Sequence, residues 1–127
     1  MMSSDSRKIT VSRLYADERG ESHFIEETLD TQEVNFAPPA PSMFRSEPVN
    51  AAASMFLLLP DGYFGDLHPA PRKQIMTLVR GGLEVTVSDG EVRHFTPGQT
   101  VLVDDTTGKG HATRSVGGES VVAVVQL

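Results

Sequence analysis

The stretch Gly65-Asp66-Leu67-His68-Pro69-Ala70-Pro71-Arg72-Lys73-Gln74 decides how this chain of 127 residues is read, together with Gly81, the Pro97-Gly98 pair and His111. Pro69 and Pro71 push the residues before them toward extended geometry. In an extended chain, residues of equal parity share a face. His68, Ala70, Arg72 and Gln74 are therefore expected on one face, in line with Met76 and Leu78. His111, Thr113 and Ser115 form a matching set on a later segment.

Outward from this stretch the pattern is that of an all-β chain. Short apolar and β-branched segments recur between Gly, Pro and Asp turns, and helical periodicity is nearly absent. Lys8 to Tyr15 reads as a first strand and Ser22 to Val34 as a long or broken strand pair. Four prolines between Phe36 and Pro48 predict an extended loop, because proline lacks the N–H that a ladder needs. That loop reads either as a lid over a pocket or as a connector. Ala51 to Leu59 is a nearly continuous apolar run, which predicts burial on both faces, one toward a core and the other toward a second sheet or a second subunit. After it the sequence reads as a regular meander. Gln74 to Arg80 and Leu83 to Ser88 are joined by a tight Gly81-Gly82 hairpin, and Asp89-Gly90 signals another. Thr100 to Asp104, His111 to Val116 and Glu119 to Gln126 complete the strands. No internal repeat is present, so one barrel is expected.

Composition narrows the function classes. The chain has 17 acidic against 11 basic residues, a net charge of −6, which argues against a nucleic-acid partner. It has no cysteine, which excludes disulfides, thiolate catalysis and cysteine zinc sites. The N-terminal residues lack the apolar core of a secretory signal, and no apolar run approaches the ~18 residues of a membrane span. A cytoplasmic protein with no membrane partner is the expectation.

The quoted motifs resemble those of the cupins, whose pattern is roughly G-x5-H-x-H-x3-4-E-x6-G, then a Pro-Gly turn and a further His. His68 stands at the first His position and His111 at the last. Ala70 occupies the second His position and Gln74 the Glu position, and Gly81 follows Gln74 at the expected interval. The resemblance covers residues 50–127. It implies a single-domain antiparallel double-stranded β-helix, or jelly-roll barrel, with residues 1–49 adding strands and a Pro-rich loop to the barrel or to a partner. Within this superfamily the chain is similar to small single-domain bacterial cupins with a degenerate metal motif. A homodimer is expected, motivated by the two-sided apolar strand at Ala51 to Leu59.

The resemblance also implies that His68, Gln74 and His111 converge on a divalent metal (iron, manganese, nickel or zinc). Gln74 offers a neutral carbonyl where the pattern has a carboxylate, which weakens such a site. Asp104 or Asp105 could supply the missing carboxylate. Equally, the two histidines could be hydrogen-bonded cavity imidazoles, with Gln74 a wall residue bonded to one of them. Arg72, if inward, would anchor a carboxylate or phosphate; Lys73 beside it makes a solvated pair the alternative. Tyr63 and Phe64 could cap the cavity mouth, with Tyr63 and Met76 touching a ligand. His23 could reach the cavity or lie between strands, and His94 is expected in solvent. Two functions lead, ahead of a structural or interaction role that rests only on the loss of metal ligands. One is a metal-dependent enzyme of isomerase, lyase or dioxygenase type acting on a small polar or anionic metabolite. The other is a metal-free module that binds or senses a metabolite without catalysis. No catalytic residue is assigned.

Overall fold

Strict alternation builds the strands. In Leu83-Glu84-Val85-Thr86-Val87 the three apolar residues are buried and the two polar ones are half-exposed. The computed structural model describes residues 7–127, in which eleven strands and no helix form. They are β1 (Lys8–Ala16), β2 (Ser22–Val34), β3 (Met43–Ser46), β4 (Ala53–Leu59), β5 (Phe64–His68), β6 (Gln74–Arg80), β7 (Leu83–Val87), β8 (Val92–Phe95), β9 (Thr100–Asp104), β10 (His111–Ser115) and β11 (Ser120–Gln126). No helix among the described residues is long and apolar enough to cross a membrane.

The strands form two sheets. A seven-stranded sheet has the order β3-β2-β1-β9-β6-β11-β4, and a four-stranded sheet the order β5-β10-β7-β8. From β6 onward the chain passes between the sheets, except for the β7–β8 hairpin at Asp89-Gly90. This corrects the expected meander. Gly81-Gly82 is not a hairpin, because β6 pairs with β9 and β11 while β7 pairs with β8 and β10. Gly81 carries the crossover at φ 91°, and a Cβ there would meet Glu119 O at 2.6 Å. The crossover is tied down by Ser120, whose buried hydroxyl donates to Gly82 O at 2.9 Å.

Three further expectations change. The Pro-rich segment contains a short edge strand, β3, paired to the far end of β2. The N-terminal β1 joins β9 in parallel, so the large sheet is not purely antiparallel. Six of the seven residues of β4 are exposed, because β4 is the last strand of its sheet.

The core lies between the sheets. Leu14 from β1 and Val122 and Val124 from β11 meet Val87 of β7, all at most 1 % exposed. Burying each such side chain stabilises the fold by about 1.5–3 kcal/mol. Phe24 and Phe95 close one flank, with ring centroids 6.2 Å apart.

Candidate functional site

At one end the inter-sheet space is not filled by side chains. A cavity of about 290 Å³ opens there, lined mainly by aliphatic residues such as Leu14, Leu78, Val85 and Val122. The polar lining groups are His68, His111, Gln74, Thr113, Tyr63, Gln99 and Gln126, and no lining residue carries a formal charge apart from the titratable histidines.

The two histidines are brought together by strand pairing. His68 ends β5 and His111 begins β10, directly opposite each other in antiparallel register. Their ring centroids are 5.6 Å apart and the rings are tilted by 36°. Local backbone makes this approach possible. Gly110 has φ 77°, and a Cβ at that position would run into the backbone of His68 and Pro69. Ser22, fully buried, donates its hydroxyl to Gly110 O at 2.6 Å, and Ala70 N donates to Asp105 O at 2.9 Å. The segment from Asp105 to Gly110 is thus held against residues 68–70.

Hydrogen bonds decide what the imidazoles present. The Nδ1–H of His68 donates to Asp66 O at 2.6 Å, and the Nδ1–H of His111 donates to Asp105 Oδ2 at 2.6 Å. A neutral imidazole that donates from Nδ1 keeps its lone pair on Nε2. No hydrogen bond occupies either Nε2 among the described residues. His68 stands at the exposed mouth, and the His111 side chain is 12 % exposed. Asp105 is fully buried, and its Oδ1 has no hydrogen-bond partner among the described residues. A buried carboxylate oxygen left free is unusual and marks a polar spot behind His111.

The other expected site residues divide. Gln74, Met76 and Tyr63 line the cavity. Gln74 lies on the opposite sheet, and its Oε1 accepts from Gln126 Nε2 at 3.0 Å rather than bonding to a histidine. The Tyr63 hydroxyl lies over Gly65, where a Cβ would meet it at 2.8 Å. Arg72 does not line the cavity. It is exposed, and its guanidinium donates to Leu127 O at 3.0 Å, because the bend through Pro69 and Pro71 turns it toward the chain end. Asp104 pairs outward with Arg13 at 2.7 Å. Asp105 is the carboxylate near the site, but it reaches His111 from behind. Its signal in the sequence, an acid six residues before a histidine across a Gly-containing loop, is too common to single it out.

The donor set fits a metal only in part. His68, His111 and Gln74 line one cavity, whereas no carboxylate lines it. Among the described residues no group of three or more His, Cys, Asp or Glu is placed to hold an ion. A divalent ion held here would retain most of its charge uncompensated.

His94 points to solvent and contacts Glu84 at 3.0 Å. His23 lies outside the cavity, between Asp17 and Asp89, each 2.7 Å from one ring nitrogen. Both nitrogens face carboxylates, so the ring is best satisfied as imidazolium. The Asp17 bond first, then the Asp89 bond, hold its pKa above the ordinary histidine value. Asp17 is lowered chiefly by His23, and Asp89 by the Glu91 backbone N–H and then by His23. A raised histidine pKa stabilises the fold fully below the unfolded value of about 6.5, and that stability is lost as pH rises through the folded value. The lowered carboxylates contribute above about 4 and lose their contribution in acid. The Tm gap between the parent protein and His23→Gln is therefore expected to be widest near pH 5.5 and to close by about pH 9. Thermal melts across that range check it, and a gap that is flat with pH would count against the imidazolium clamp.

Comparison with solved structures places this architecture. A cupin domain of Cnp3 from Schizosaccharomyces pombe is similar over 93 % of this chain and 81 % of that domain, at 14 % identity and a TM-score of 0.50. A conserved protein of unknown function from Streptococcus pyogenes, SPY1581, is 23 % identical over 64 % of this chain and 68 % of its own, with a TM-score of 0.48. Protein NMB1881 from Neisseria meningitidis is 23 % identical over 64 % of this chain and 81 % of its own, with a TM-score of 0.46. No protein-family model matches the chain, and no curated protein sequence does. The likeness to the Cnp3 domain spans both sheets and is one of fold.

Proposed function

Proceeding from a cupin fold, we propose that the chain binds a small molecule with an apolar body and a hydrogen-bond-donating head, held in the cavity between the sheets. The observation that carries this is the pair of imidazoles of His68 and His111, each with its Nδ1 engaged and its Nε2 free of a hydrogen bond, in the lining of a mainly apolar cavity. Two bare acceptors side by side favour a hydroxyl or amine on the ligand. The volume suits roughly ten non-hydrogen atoms, at about 30 Å³ for each small group. An anionic ligand finds no cationic side chain on the cavity wall, since Arg72 lies elsewhere. Gln74 and Tyr63 supply the polar contacts that fix orientation, and Met76 contributes adaptable apolar surface.

A matched pair of probes tests this. A seven-carbon alcohol is expected to bind at least tenfold more tightly than its methyl ether, which cannot donate to the imidazoles. His111→Ala is expected to remove the difference. Equal affinity for alcohol and ether in the parent protein would end the donor-head proposal.

The same lone pairs favour a second reading, in which His68 and His111 hold a divalent metal weakly with Gln74. The ion would supply Lewis acidity and open positions for a ligand oxygen. Elemental analysis of untagged protein after add-back of iron, manganese, nickel and zinc is the check. Near-stoichiometric metal, lost in His68→Ala and in His111→Ala, supports it; no uptake from any of the four ends it. An isomerase, lyase or dioxygenase activity would follow only from the first of these results.

A further inference from the structure

We propose that His23 is a pH-operated latch on the loop that carries His111: as imidazolium it fastens the β1–β2 turn to the β7–β8 hairpin, and the fastened turn supports that loop. The consequence for affinity rests on the proposed cavity binding; the consequence for the loop does not.

The latch joins segments far apart in the chain. The His23 Nε2 lies 2.7 Å from Asp17 Oδ2 in the β1–β2 turn, and its Nδ1 lies 2.7 Å from Asp89 Oδ2 in the β7–β8 hairpin. Each carboxylate also organises its own turn. Asp17 Oδ1 accepts from Arg19 N at 2.8 Å and from Glu21 N at 3.0 Å, and Asp89 Oδ1 accepts from Glu91 N at 2.8 Å. From β1 the Tyr15 ring faces the imidazole, with centroids 5.4 Å apart. The neighbouring charges are engaged elsewhere or exposed. Glu21 pairs with Lys109, Arg13 pairs with Asp104, and Glu18 and Arg19 are exposed in the turn.

The same turn bears on the loop from Asp105 to Gly110. Lys109 N donates to Gly20 O at 2.9 Å, Lys109 Nζ to Glu21 Oε2 at 2.7 Å, and the Ser22 hydroxyl to Gly110 O at 2.6 Å. Gly20 and Gly108 meet backbone to backbone, and a Cβ on Gly108 would run into Gly20. The hairpin is tied to the turn as well, since the Ser88 hydroxyl donates to Glu21 Oε1 at 2.6 Å and Ser22 N donates to Ser88 Oγ at 2.7 Å. The supported loop contains both Asp105, which accepts from His111, and Gly110, which precedes it. It thereby sets His111 opposite His68.

Protonation decides whether the latch holds. An imidazolium has two N–H groups and donates to both carboxylates. The neutral ring has one, so its remaining lone pair faces a carboxylate and that bridge is lost. Release of either Asp17 or Asp89 unfastens the turn from the hairpin. The two carboxylates hold the His23 pKa above the ordinary value, so the latch is closed below the folded pKa and opens as pH rises through it. The loop, still bonded to the turn but no longer to a fixed base, then opens more often.

Two nuclear magnetic resonance readouts on the full chain from about pH 5.5 to 9 test this. Ring nitrogen shifts follow the charge on His23, and amide exchange of Lys109, corrected for its intrinsic pH dependence, follows the loop. Protection of Lys109 is expected to fall about tenfold as His23 loses its proton. His23→Gln is expected at the low level throughout. Asp89→Asn is the rescue: its carbonyl still accepts from Glu91 N, and its amide N–H donates to the neutral ring, so protection is expected to persist at high pH. At about pH 9 the seven-carbon alcohol is expected to bind Asp89→Asn several-fold more tightly than the parent, and at about pH 6 equally. Comparing the two proteins at each pH cancels the titration of His68 and His111. Absence of alcohol binding at every pH ends the donor-head reading and leaves the latch to be decided by the exchange data. Lys109 protection that stays level while His23 titrates overturns the latch. So does a His23 that keeps one charge state to about pH 9, protection in His23→Gln equal to that of the parent in acid, or a fall in Asp89→Asn equal to that of the parent.

Discussion

Replacing Asp105 by Ala is expected to lower the affinity of the cavity for the seven-carbon alcohol, or for a bound divalent ion, by 10- to 100-fold. The carboxylate touches no ligand. It acts through His111, whose Nδ1–H it accepts at 2.6 Å from a fully buried position. Without that acceptor the imidazole can carry its proton on Nε2, and one of the two free Nε2 lone pairs is lost. The variant also leaves a largely buried Nδ1 unpaired, at a cost of about 1–3 kcal/mol in stability. Asp105→Asn separates the two roles, because its amide oxygen can still accept the Nδ1–H. It is expected to recover most of the affinity. Nitrogen-15 shifts of the His111 ring report the tautomer directly. An unchanged tautomer and unchanged affinity in Asp105→Ala would show that Asp105 does not position His111.

Gly110→Ala is expected to destabilise the fold by about 3 kcal/mol or more. Two costs combine there. A left-handed φ costs an alanine about 1–2 kcal/mol, and the new Cβ meets backbone atoms of His68 and Pro69, which cannot swing aside as a side-chain tip can. Gly90 provides the internal control. It also has a positive φ, 101°, but no atom lies within 4 Å of a Cβ placed there. Gly90→Ala is therefore expected to lose only the conformational part. Urea denaturation of both variants gives the difference. If the two fall by the same amount, the contact between Gly110 and the His68 strand is looser than described. Because the close approach sets His111 beside His68, Gly110→Ala is also expected to weaken ligand binding in whatever fraction stays folded.

How much of this was readable beforehand depends on the range of the interaction. The Asp89-Gly90 hairpin was legible because its turn chemistry and both its strands lie within a few residues. Gly81-Gly82 carries an equally strong turn signal but marks a crossover. Whether a Gly pair returns a strand to its own sheet or sends it to the other is decided by which strands reach it from elsewhere, here β10 and β11. The apolar run at Ala51 to Leu59 correctly marked a strand with apolar residues on both faces. Its burial did not follow, because hydropathy does not say whether a strand will be central or last in its sheet.

The site divides along the same line. The resemblance to the cupin motif singled out His68, Gln74 and His111, and parity along an extended chain, a local property, put His68 and Gln74 on one face. That all three line one cavity is a consequence of β5 pairing with β10 while β6 lies in the facing sheet. Arg72 shares their parity yet leaves their face, because two prolines bend the chain before β6 begins. The tautomers of the two histidines, the buried carboxylate behind His111 and the clamp on His23 depend on atoms 2.6–2.7 Å apart across loops and strands. Composition, strand periodicity and turn chemistry thus determined an all-β chain, since each is set by neighbours in the chain, and the motif resemblance pointed to its two histidines. Tertiary structure alone decided that the two histidines meet at one cavity and which strands end their sheets, since both depend on contacts that form only when distant strands meet.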